Sequence, residues 1–238
     1  MAKTDVAEDT APGLHEMVVK MMSEEKGGRL LDVPAGIGKL SSRFREMGFD
    51  VLAGDIDEKI FRADDIKFQK IDLNGKLVYP DSFFDCIICV DGIEHLENIY
   101  HLLREFGRII KKGGTLIIST PNILSIFSRL RYFLTGYHDF FGGYYSDESR
   151  FYTLHINPVG FPQLFLALRR AGFELLETVT NRNVISARRF PVRPLLWILA
   201  FCCRIATSIK VKDSFMRKTL NSPELLMGEI LILKCRKR

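Results

Sequence analysis

The stretch Asp32-Val33-Pro34-Ala35-Gly36-Ile37-Gly38-Lys39-Leu40 decides the fold of this 238-residue chain. It begins within residues 29–33, which are predicted to form a strand around Leu30, Leu31 and Val33, and it leads into a segment with apolar residues at helical spacing. Glycines in such a turn let a ligand approach the backbone, and the start of the next helix offers free N–H groups. The stretch therefore predicts a strand, a ligand-binding turn and a helix.

Strand-like and helix-like segments alternate on both sides of this turn. Residues 14–21 and 93–110 carry apolar side chains at helical spacing, and glycine pairs follow both segments. This alternation predicts an α/β fold in which helices cover both faces of a parallel sheet. Further strands are predicted at residues 50–55, 67–73, 83–90, 114–120, 173–180 and 227–234.

A second candidate ligand-binding residue is Asp55, which stands nineteen residues after Gly36 at the end of the second predicted strand. A carboxylate in this position can accept both hydroxyls of a ribose. A nicotinamide or flavin enzyme is the first alternative, but its G-x-G-x-x-G pattern is broken because Ser41 occupies the third glycine position. Asp32 is placed to hold the ammonium of an amino-acid moiety, which favours a nucleoside carrying an amino acid over a dinucleotide.

In their order and spacing these motifs resemble those of the class I S-adenosylmethionine-dependent methyltransferases, especially the subgroup with an E-H-L-type turn after strand four. The family's first motif is usually D-x-G-x-G-x-G, and this chain departs from it at Pro34 and Ala35. The resemblance covers residues 29–122 and, more loosely, 158–180 and the last strand. It implies a Rossmann-like, doubly wound, seven-stranded and mostly parallel sheet with an antiparallel last strand, and S-adenosylmethionine as cofactor.

The resemblance also implies where the cofactor is held. Ile71-Asp72-Leu73 resembles the motif that reads the adenine, and Asp91-Gly92-Ile93-Glu94-His95-Leu96 resembles the turn that closes over the methionine end of the cofactor. Both follow predicted strands, where ligands of such sheets bind. The expected cofactor-binding residues are Asp32, Pro34, Ala35, Gly36, Gly38, Asp55, Ile56, Asp72, Leu73, Asp91, Gly92 and His95.

His95 is the first candidate catalytic residue. Methyl transfer from a sulfonium needs an oriented nucleophile and, where required, a base that removes a proton. A histidine just after the fourth strand suits either proton removal or substrate contact, although it can also serve to cap or pack.

The segment 135–157 is predicted to form a substrate-binding loop after the fifth strand, because its glycines, aromatic residues and histidines show no periodicity. The alternative is that the same aromatic side chains simply bury a long loop. His155 is the second candidate catalytic residue, since the resembling family often places a histidine just before a Pro-led helix. The candidate pocket residues are His138, Tyr144, Tyr145 and His155.

Residues 182–222 are predicted to form a basic, amphipathic insertion. The rest of the chain is predicted to be a flexible N-terminus (1–13) and a methyltransferase domain made of residues 14–181 and 223–238. Residues 182–218 hold nine Lys and Arg against Asp213 alone, whereas the whole chain has a net charge of +5. The apolar run 195–203 is far shorter than the roughly 20 residues that span a bilayer.

The composition around this run is typical of an interfacial helix that is attracted to anionic lipid, which makes contact of residues 188–212 with a membrane surface one interpretation. Packing against the sheet or against a second subunit, with the basic residues in solvent, is the other interpretation and the favoured one. The basic residues that flank the run are Arg188, Arg189, Arg193, Arg204, Lys210 and Lys212.

The remaining composition predicts a cytoplasmic protein, at most peripheral on a membrane. Residues 1–12 lack the apolar run of a signal peptide or an anchor. The five cysteines do not resemble a disulfide framework in a chain of this length. Cys86 and Cys89 lie three apart on a buried strand and should face opposite sides of the sheet, so no metal site is expected.

The function predicted from the sequence is methyl transfer to a small-molecule or lipid- or sugar-precursor acceptor, on oxygen. Nucleic-acid bases are disfavoured as acceptors, because the turn at residues 91–95 is not of the N-P-P-Y type and a Pro-Cys nucleophile is missing. DNA is therefore not an expected partner, while an RNA or protein substrate stays open. The alternatives are a non-catalytic module that binds the cofactor or a partner, and an NAD-dependent oxidoreductase.

Overall fold

The computed structural model describes residues 10–143, 145–146, 153–183 and 193–238. Its strands are β1 (Arg29–Asp32), β2 (Asp50–Asp55), β3 (Lys67–Lys70), β4 (Phe84–Cys89), β5 (Ile110–Pro121), β6 (Phe173–Thr180) and β7 (Ile230–Lys237). Its helices are α1 (Leu14–Met22), α2 (Lys39–Glu46), α3 (Ile99–Ile109), α4 (Ile126–Thr135), α5 (Phe161–Arg170), α6 (Arg193–Lys210), α7 (Ser214–Leu220) and α8 (Pro223–Met227), and a 3-10 turn covers Ile93–His95.

The strands form one seven-stranded sheet in the order β3-β2-β1-β4-β5-β7-β6. Strands β1 to β5 pair in parallel, and β7 is antiparallel to both β5 and β6. This architecture confirms the predicted doubly wound, Rossmann-like sheet with an antiparallel last strand. The strand order reverses between β1 and β4, and ligands of open α/β sheets bind at the carboxyl ends of the strands at such a point.

Several predicted elements differ from the structure at their ends: β3 stops at Lys70 and not at residue 73, and β5 begins at Ile110 and not at residue 114. Two further differences have a local cause. The last strand was predicted from residue 227, but Ser222 caps α8, with its Oγ accepting from Leu225 N, and Pro223 starts that helix. The predicted helix 93–110 is divided, because Leu96 is extended and Asn98 caps α3 by accepting from His101 N at 3.0 Å. Local capping side chains therefore decided both boundaries.

The sheet is covered on both faces by apolar helix surfaces. On one face, α1 and α2 pack side chains such as Leu14 and Phe44 against the sheet. On the other, α3 and α5 contribute Phe106 and Phe161. The two cysteines of β4 confirm the expected alternation, since Cys86 belongs to the first core and Cys89 to the second. All five cysteines are free.

Helices α6, α7 and α8 lie between β6 and β7; α6 and α7 fall within the predicted insertion 182–222, and α8 follows it. Leu196 and Ala200 of α6 pack with Ile126 of α4 and with Leu226 and Met227 of α8 to form a small separate core. Among the described helices, none combines the length and the apolar character that crossing a membrane requires. Residues 1–9, Arg188 and Arg189 lie outside the described part of the chain, and so does the side chain of Arg193.

One asparagine ties this helical region to the sheet. Asn122 follows β5 and is buried, and its Nδ2 lies 3.0 Å from Glu224 O, 3.1 Å from Leu225 O and 3.0 Å from Gly228 O. Its Oδ1 accepts from Leu124 N at 3.1 Å. The end of α8 is thus held at the carboxyl end of β5 by satisfied buried polar groups.

Candidate active site

The turn after β1 needs its two glycines for different reasons. Gly36 has φ +53° and its α-carbon faces open space, because a Cβ there would meet no atom within 4 Å. Gly38 has φ +86°, and a Cβ there would lie 2.7 Å from the ring of Phe61. Gly36 therefore leaves room for a ligand against the backbone, whereas Gly38 gives room for protein packing.

Asp55 connects this turn to the end of β2. Its Oδ2 accepts from Gly36 N at 2.8 Å, and its Oδ1 accepts from Asp57 N at 3.1 Å. The backbone oxygen of Asp55 accepts from Ile71 N at 2.8 Å, so the loop after β3 adjoins the same edge. In that loop Asp72 is exposed and Leu73 is buried, and Ile56 is 38% exposed beside Asp55. The predicted ribose and adenine residues are therefore neighbours.

Asp32 lies buried under the turn that follows β1. Its side chain is 1% exposed, and its Oδ2 accepts from Ser41 Oγ at 2.5 Å. Burial raises the pKa of Asp32 to about 7, against the opposing effect of the Ser41 hydrogen bonds. Asp32 therefore supports the turn through Ser41, and its predicted contact with an ammonium stays a prediction. Ser41, which argued against a dinucleotide, is the fully buried partner that makes this support possible.

The turns after β1 and β4 are in contact through Pro34. A Cβ on Gly92 would lie 2.6 Å from Pro34 Cδ, so glycine is what permits the two turns to approach each other. Asp91 has φ +49°, and its backbone N donates to Ser119 Oγ at 3.0 Å. The carboxylate of Asp91 accepts from Thr10 Oγ1 at 2.9 Å. Thr10, in the N-terminal segment that is predicted to be flexible, is thus hydrogen-bonded at the site.

His95 and His155 are brought together by the fold. Their ring centroids are 4.7 Å apart, with the planes at 78°. Burial lowers the pKa of His95, and burial together with the neighbouring His95 lowers the pKa of His155 to about 4. Both rings are therefore neutral at neutral pH.

The segment that carries His155 is clamped onto the 3-10 turn. His95 Nδ1 lies 3.0 Å from Leu154 O, and because a carbonyl oxygen only accepts, the ring donates through Nδ1–H. Ile156 N and Asn157 N both donate to Glu94 O at 2.9 Å. The two histidines, from sequence positions sixty residues apart, are thus fixed relative to each other.

The other candidates of the predicted substrate loop lie further away. His138 stacks on Tyr132 with ring centroids 4.4 Å apart, and its Nδ1 is 3.2 Å from Ser128 Oγ. Phe141 stands between the two groups, 5.4 Å from His155 and 6.3 Å from His138. Tyr145 is 46% exposed, and Tyr144 lies outside the described residues.

Glu94 is a site residue that the sequence did not single out. Its side chain is 1% exposed, and neither carboxylate oxygen has a hydrogen-bond partner in the described part of the chain. Burial and the nearby Asp91 raise the pKa of Glu94 well above its ordinary value. The sequence signal that could have identified Glu94 is an acidic residue directly before a histidine, just after a buried strand.

The comparisons with known proteins agree with this geometry. The family model described as "Methyltransferase domain" matches residues 5–178. A ubiquinone/menaquinone biosynthesis C-methyltransferase, UbiE, from Pseudomonas entomophila is 28% identical over 137 residues, covering 49% of this chain and 53% of that protein. The chain therefore spans about half the length of the curated relatives that it matches.

Solved structures share the fold over most of the chain. A SAM dependent methyltransferase from Archaeoglobus fulgidus aligns with a TM-score of 0.60 and 18% identity, covering 94% of each chain. A possible histamine N-methyltransferase from Thermotoga maritima aligns with a TM-score of 0.58 and 17% identity, covering 94% of this chain and 87% of its own. Taken with the family match over residues 5–178, these findings show that the chain belongs to the class I, Rossmann-like family of S-adenosylmethionine-dependent methyltransferases.

Proposed function

We propose that this chain transfers a methyl group from S-adenosylmethionine to an oxygen of a small-molecule acceptor or of a lipid- or sugar-linked precursor. One observation carries the proposal. Gly36, Asp55 and His95 stand at the carboxyl ends of the neighbouring strands β1, β2 and β4, and the ring of His155 packs on that of His95. The Gly36–Asp55 pair suits a ribose, and the two neutral rings suit an acceptor hydroxyl.

The residues present fit this cofactor. Gly36 leaves open space above the backbone, and Asp55 accepts one backbone N–H on each oxygen. A carboxylate has about four acceptor positions, so two remain for the ribose hydroxyls. When bound, S-adenosylmethionine supplies an electrophilic methyl group on a sulfonium. Asp72 and Leu73 adjoin Asp55 through Ile71, where they would read the adenine.

Proton removal from the acceptor falls to His95 in this proposal. Because Nδ1 of His95 carries the proton that it donates to Leu154 O, its Nε2 has the free lone pair. A catalytic base works best with a pKa near the operating pH. The pKa of about 4 makes His155 a weak base, so we assign it to contact with the acceptor.

The relatives named C-methyltransferase support carbon as a second acceptor atom. A phenol or enol oxygen that has lost its proton can pass its charge to a neighbouring carbon, so the same pair of histidines suits either outcome. Oxygen remains our proposal because the free lone pair of His95 is suited to a hydroxyl proton.

The test has a binding step and a product step. S-adenosylmethionine and S-adenosylhomocysteine should each raise the melting temperature, with about 2.7 kcal/mol of stabilisation at a hundredfold excess over Kd, and NAD should not. Cofactor labelled in its methyl group should then label a hydroxylated acceptor, and NMR should place the label on oxygen. Stabilisation by NAD alone, turnover on none of the acceptor classes, or label on carbon, RNA or protein would contradict the proposal.

We also propose that this cytoplasmic enzyme reaches a membrane-associated acceptor through α6. Large apolar side chains of that helix face solvent, among them Trp197 at 54%, Ile198 at 59% and Phe201 at 64% exposure. Helix α4, which packs on α6, adds Phe133 at 83% exposure. Exposed apolar side chains together with the local basic residues are the features of a helix that lies in a lipid interface.

Vesicle binding tests this surface. Trp197 is the only tryptophan of the chain, so its fluorescence should shift to shorter wavelength with anionic phosphatidylglycerol vesicles and less with phosphatidylcholine. Phe201→Glu should weaken vesicle binding at least about tenfold, because roughly 2 kcal/mol of apolar burial is lost. Val78→Glu is the matched control, since Val78 is 72% exposed at a distant loop. Equal binding by the two variants would argue for protein packing at α6 instead.

A further inference from the structure

The cluster of Glu94, His95 and His155 has the donor set of a metal site. Each residue offers one ligand atom, and these three atoms lie within 4.8 Å of one another. Metal–ligand bonds of about 2.0–2.2 Å place two ligands of one ion about 3.4 Å apart at tetrahedral angles, so ligand atoms as far as 4.8 Å apart would have to approach each other by about 1.4 Å. Side-chain rotations that move each ligand atom by about 1 Å or less would close the cluster around an ion.

Glu94 points to a missing partner in this cluster. Its carboxyl group is 1% exposed, and neither oxygen is hydrogen-bonded within the described residues. A buried polar group without a partner is rare in folded proteins, and leaving it unsatisfied costs about 1–3 kcal/mol or more. Its neighbours Asp91 and His95 do not satisfy it, since Asp91 bonds to Thr10 and Ser119. A cation bound beside the two histidines would supply such a partner.

His95 and His155 each use one ring nitrogen in a hydrogen bond to the backbone, and the other ring nitrogen is the candidate metal ligand. Metal-bound histidines commonly donate the second ring N–H to a backbone carbonyl. His95 does this through Nδ1 to Leu154 O, which leaves Nε2 free. His155 has the backbone of Phe140 as a hydrogen-bond partner, while its buried Nδ1 has none in the described part of the chain. Asn157 Nδ2 donates to Leu96 O at 3.0 Å and helps to hold both ligand segments in place.

We propose that Glu94, His95 and His155 bind one divalent first-row transition-metal ion, such as Mn²⁺, Fe²⁺, Co²⁺ or Zn²⁺. Two imidazoles and one carboxylate suit these ions better than Mg²⁺ or Ca²⁺, which prefer oxygen ligands. Three protein ligands leave coordination positions open, as catalytic metal sites do. This site departs from the expectation of no metal, which rested on Cys86 and Cys89 and did not consider this cluster.

The metal site would specify the chemical class of the acceptor in the proposed methyl transfer, and its catalytic role rests on that proposed function. Its open positions would take a hydroxyl or carbonyl oxygen of the acceptor, and a bound cation lowers the pKa of such a hydroxyl. With an ion bound, the one lone pair of the His95 ring would be used as a metal ligand, so this arrangement replaces the base role assigned to His95 above. The acidified hydroxyl would then release its proton to solvent water. The acceptor class narrows to compounds with an oxygen that can coordinate a metal.

Metal titration of the EDTA-treated, full-length protein tests the proposal. Mn²⁺, Co²⁺ and Zn²⁺ should each bind with one ion per chain by calorimetry, and the bound Co²⁺ should show a visible absorption spectrum typical of nitrogen and oxygen ligands. Glu94→Gln and His155→Asn should each weaken binding at least tenfold. His101→Gln is the matched control and should bind as wild type, because His101 is another half-buried ring paired with a backbone carbonyl, that of Gly75.

The outcomes separate this proposal from the proposed function. Absence of saturable binding for all three ions, or equal binding by Glu94→Gln and wild type, would overturn the metal site. S-adenosylhomocysteine affinity is measured on the same metal-free wild type, so retained affinity without metal binding leaves the proposed function standing. Because the Co²⁺ spectrum is recorded on the wild type, it decides the question even where a variant unfolds.

Discussion

Replacing Asp55 by alanine should weaken the binding of S-adenosylmethionine and S-adenosylhomocysteine by at least about 100-fold. In the structure Asp55 has free acceptor positions on both oxygens, and it lies beside the open face of Gly36. Hydrogen bonds to a charged group contribute about 1.5–3 kcal/mol each, so losing two ribose hydroxyls should weaken binding by at least about 100-fold. Calorimetric titration with S-adenosylhomocysteine measures this loss.

Two further variants distinguish the role of Asp55 in cofactor binding from its role in holding the Gly36 turn. Asp55→Asn retains an oxygen for Gly36 N but loses the charge, and it should give an intermediate loss of affinity. Asp57→Asn is the control, since Asp57 is an exposed carboxylate two residues on whose Oδ1 accepts from Lys59 N. If both Asp55 variants bound the cofactor as wild type does, Asp55 would be a turn residue only.

Glu105→Gln should reduce the free energy of unfolding by about 2–3 kcal/mol near neutral pH. Glu105 accepts from Arg108 at 2.7 and 3.0 Å and from Leu77 N at 2.9 Å. Arg108 also donates to Tyr79 O at 2.8 Å, so the pair fastens the loop before β4 to α3. The Arg108 hydrogen bonds lower the pKa of Glu105 from 4.5 to about 2.

The direction of the pKa shift of Glu105 determines how its contribution to stability depends on pH. Because the folded-state pKa lies below the unfolded one, the stabilisation is complete above 4.5 and is lost as pH falls through about 2. Urea unfolding of wild type and Glu105→Gln should therefore differ most near neutral pH, and the difference should shrink to about half near pH 3.

Asp81 offers a control on the same arginine. Its carboxylate lies 2.9 Å from Arg108 Nη1 but is 76% exposed. An exposed ion pair contributes less than about 1 kcal/mol, so Asp81→Asn should have a small effect with little pH dependence. A loss at Asp81 as large as that at Glu105 would show that the arginine's charge, and not the buried carboxylate, is what matters.

Much of the architecture was predictable from local patterns. The bounds of β2 and β6 agree with the predicted strands, because an apolar strand between turn residues carries its own signal. The Gly36-Ile37-Gly38 turn and Asp55 were also predicted, since both lie directly at strand ends. The boundaries at α8 and α3 were wrong where the caps Ser222 and Asn98 outweighed hydrophobic periodicity.

The sequence by itself determined the order of strands and helices, the turn that suits the cofactor and the acid that faces it, because each of these depends on neighbouring residues. The tertiary structure alone decided that Asp32 is buried beneath Ser41 and that Glu94 lies unpartnered beside His95 and His155. These facts depend on contacts between distant segments and on the exclusion of water, and hydrophobic spacing along one strand or helix carries no information about either.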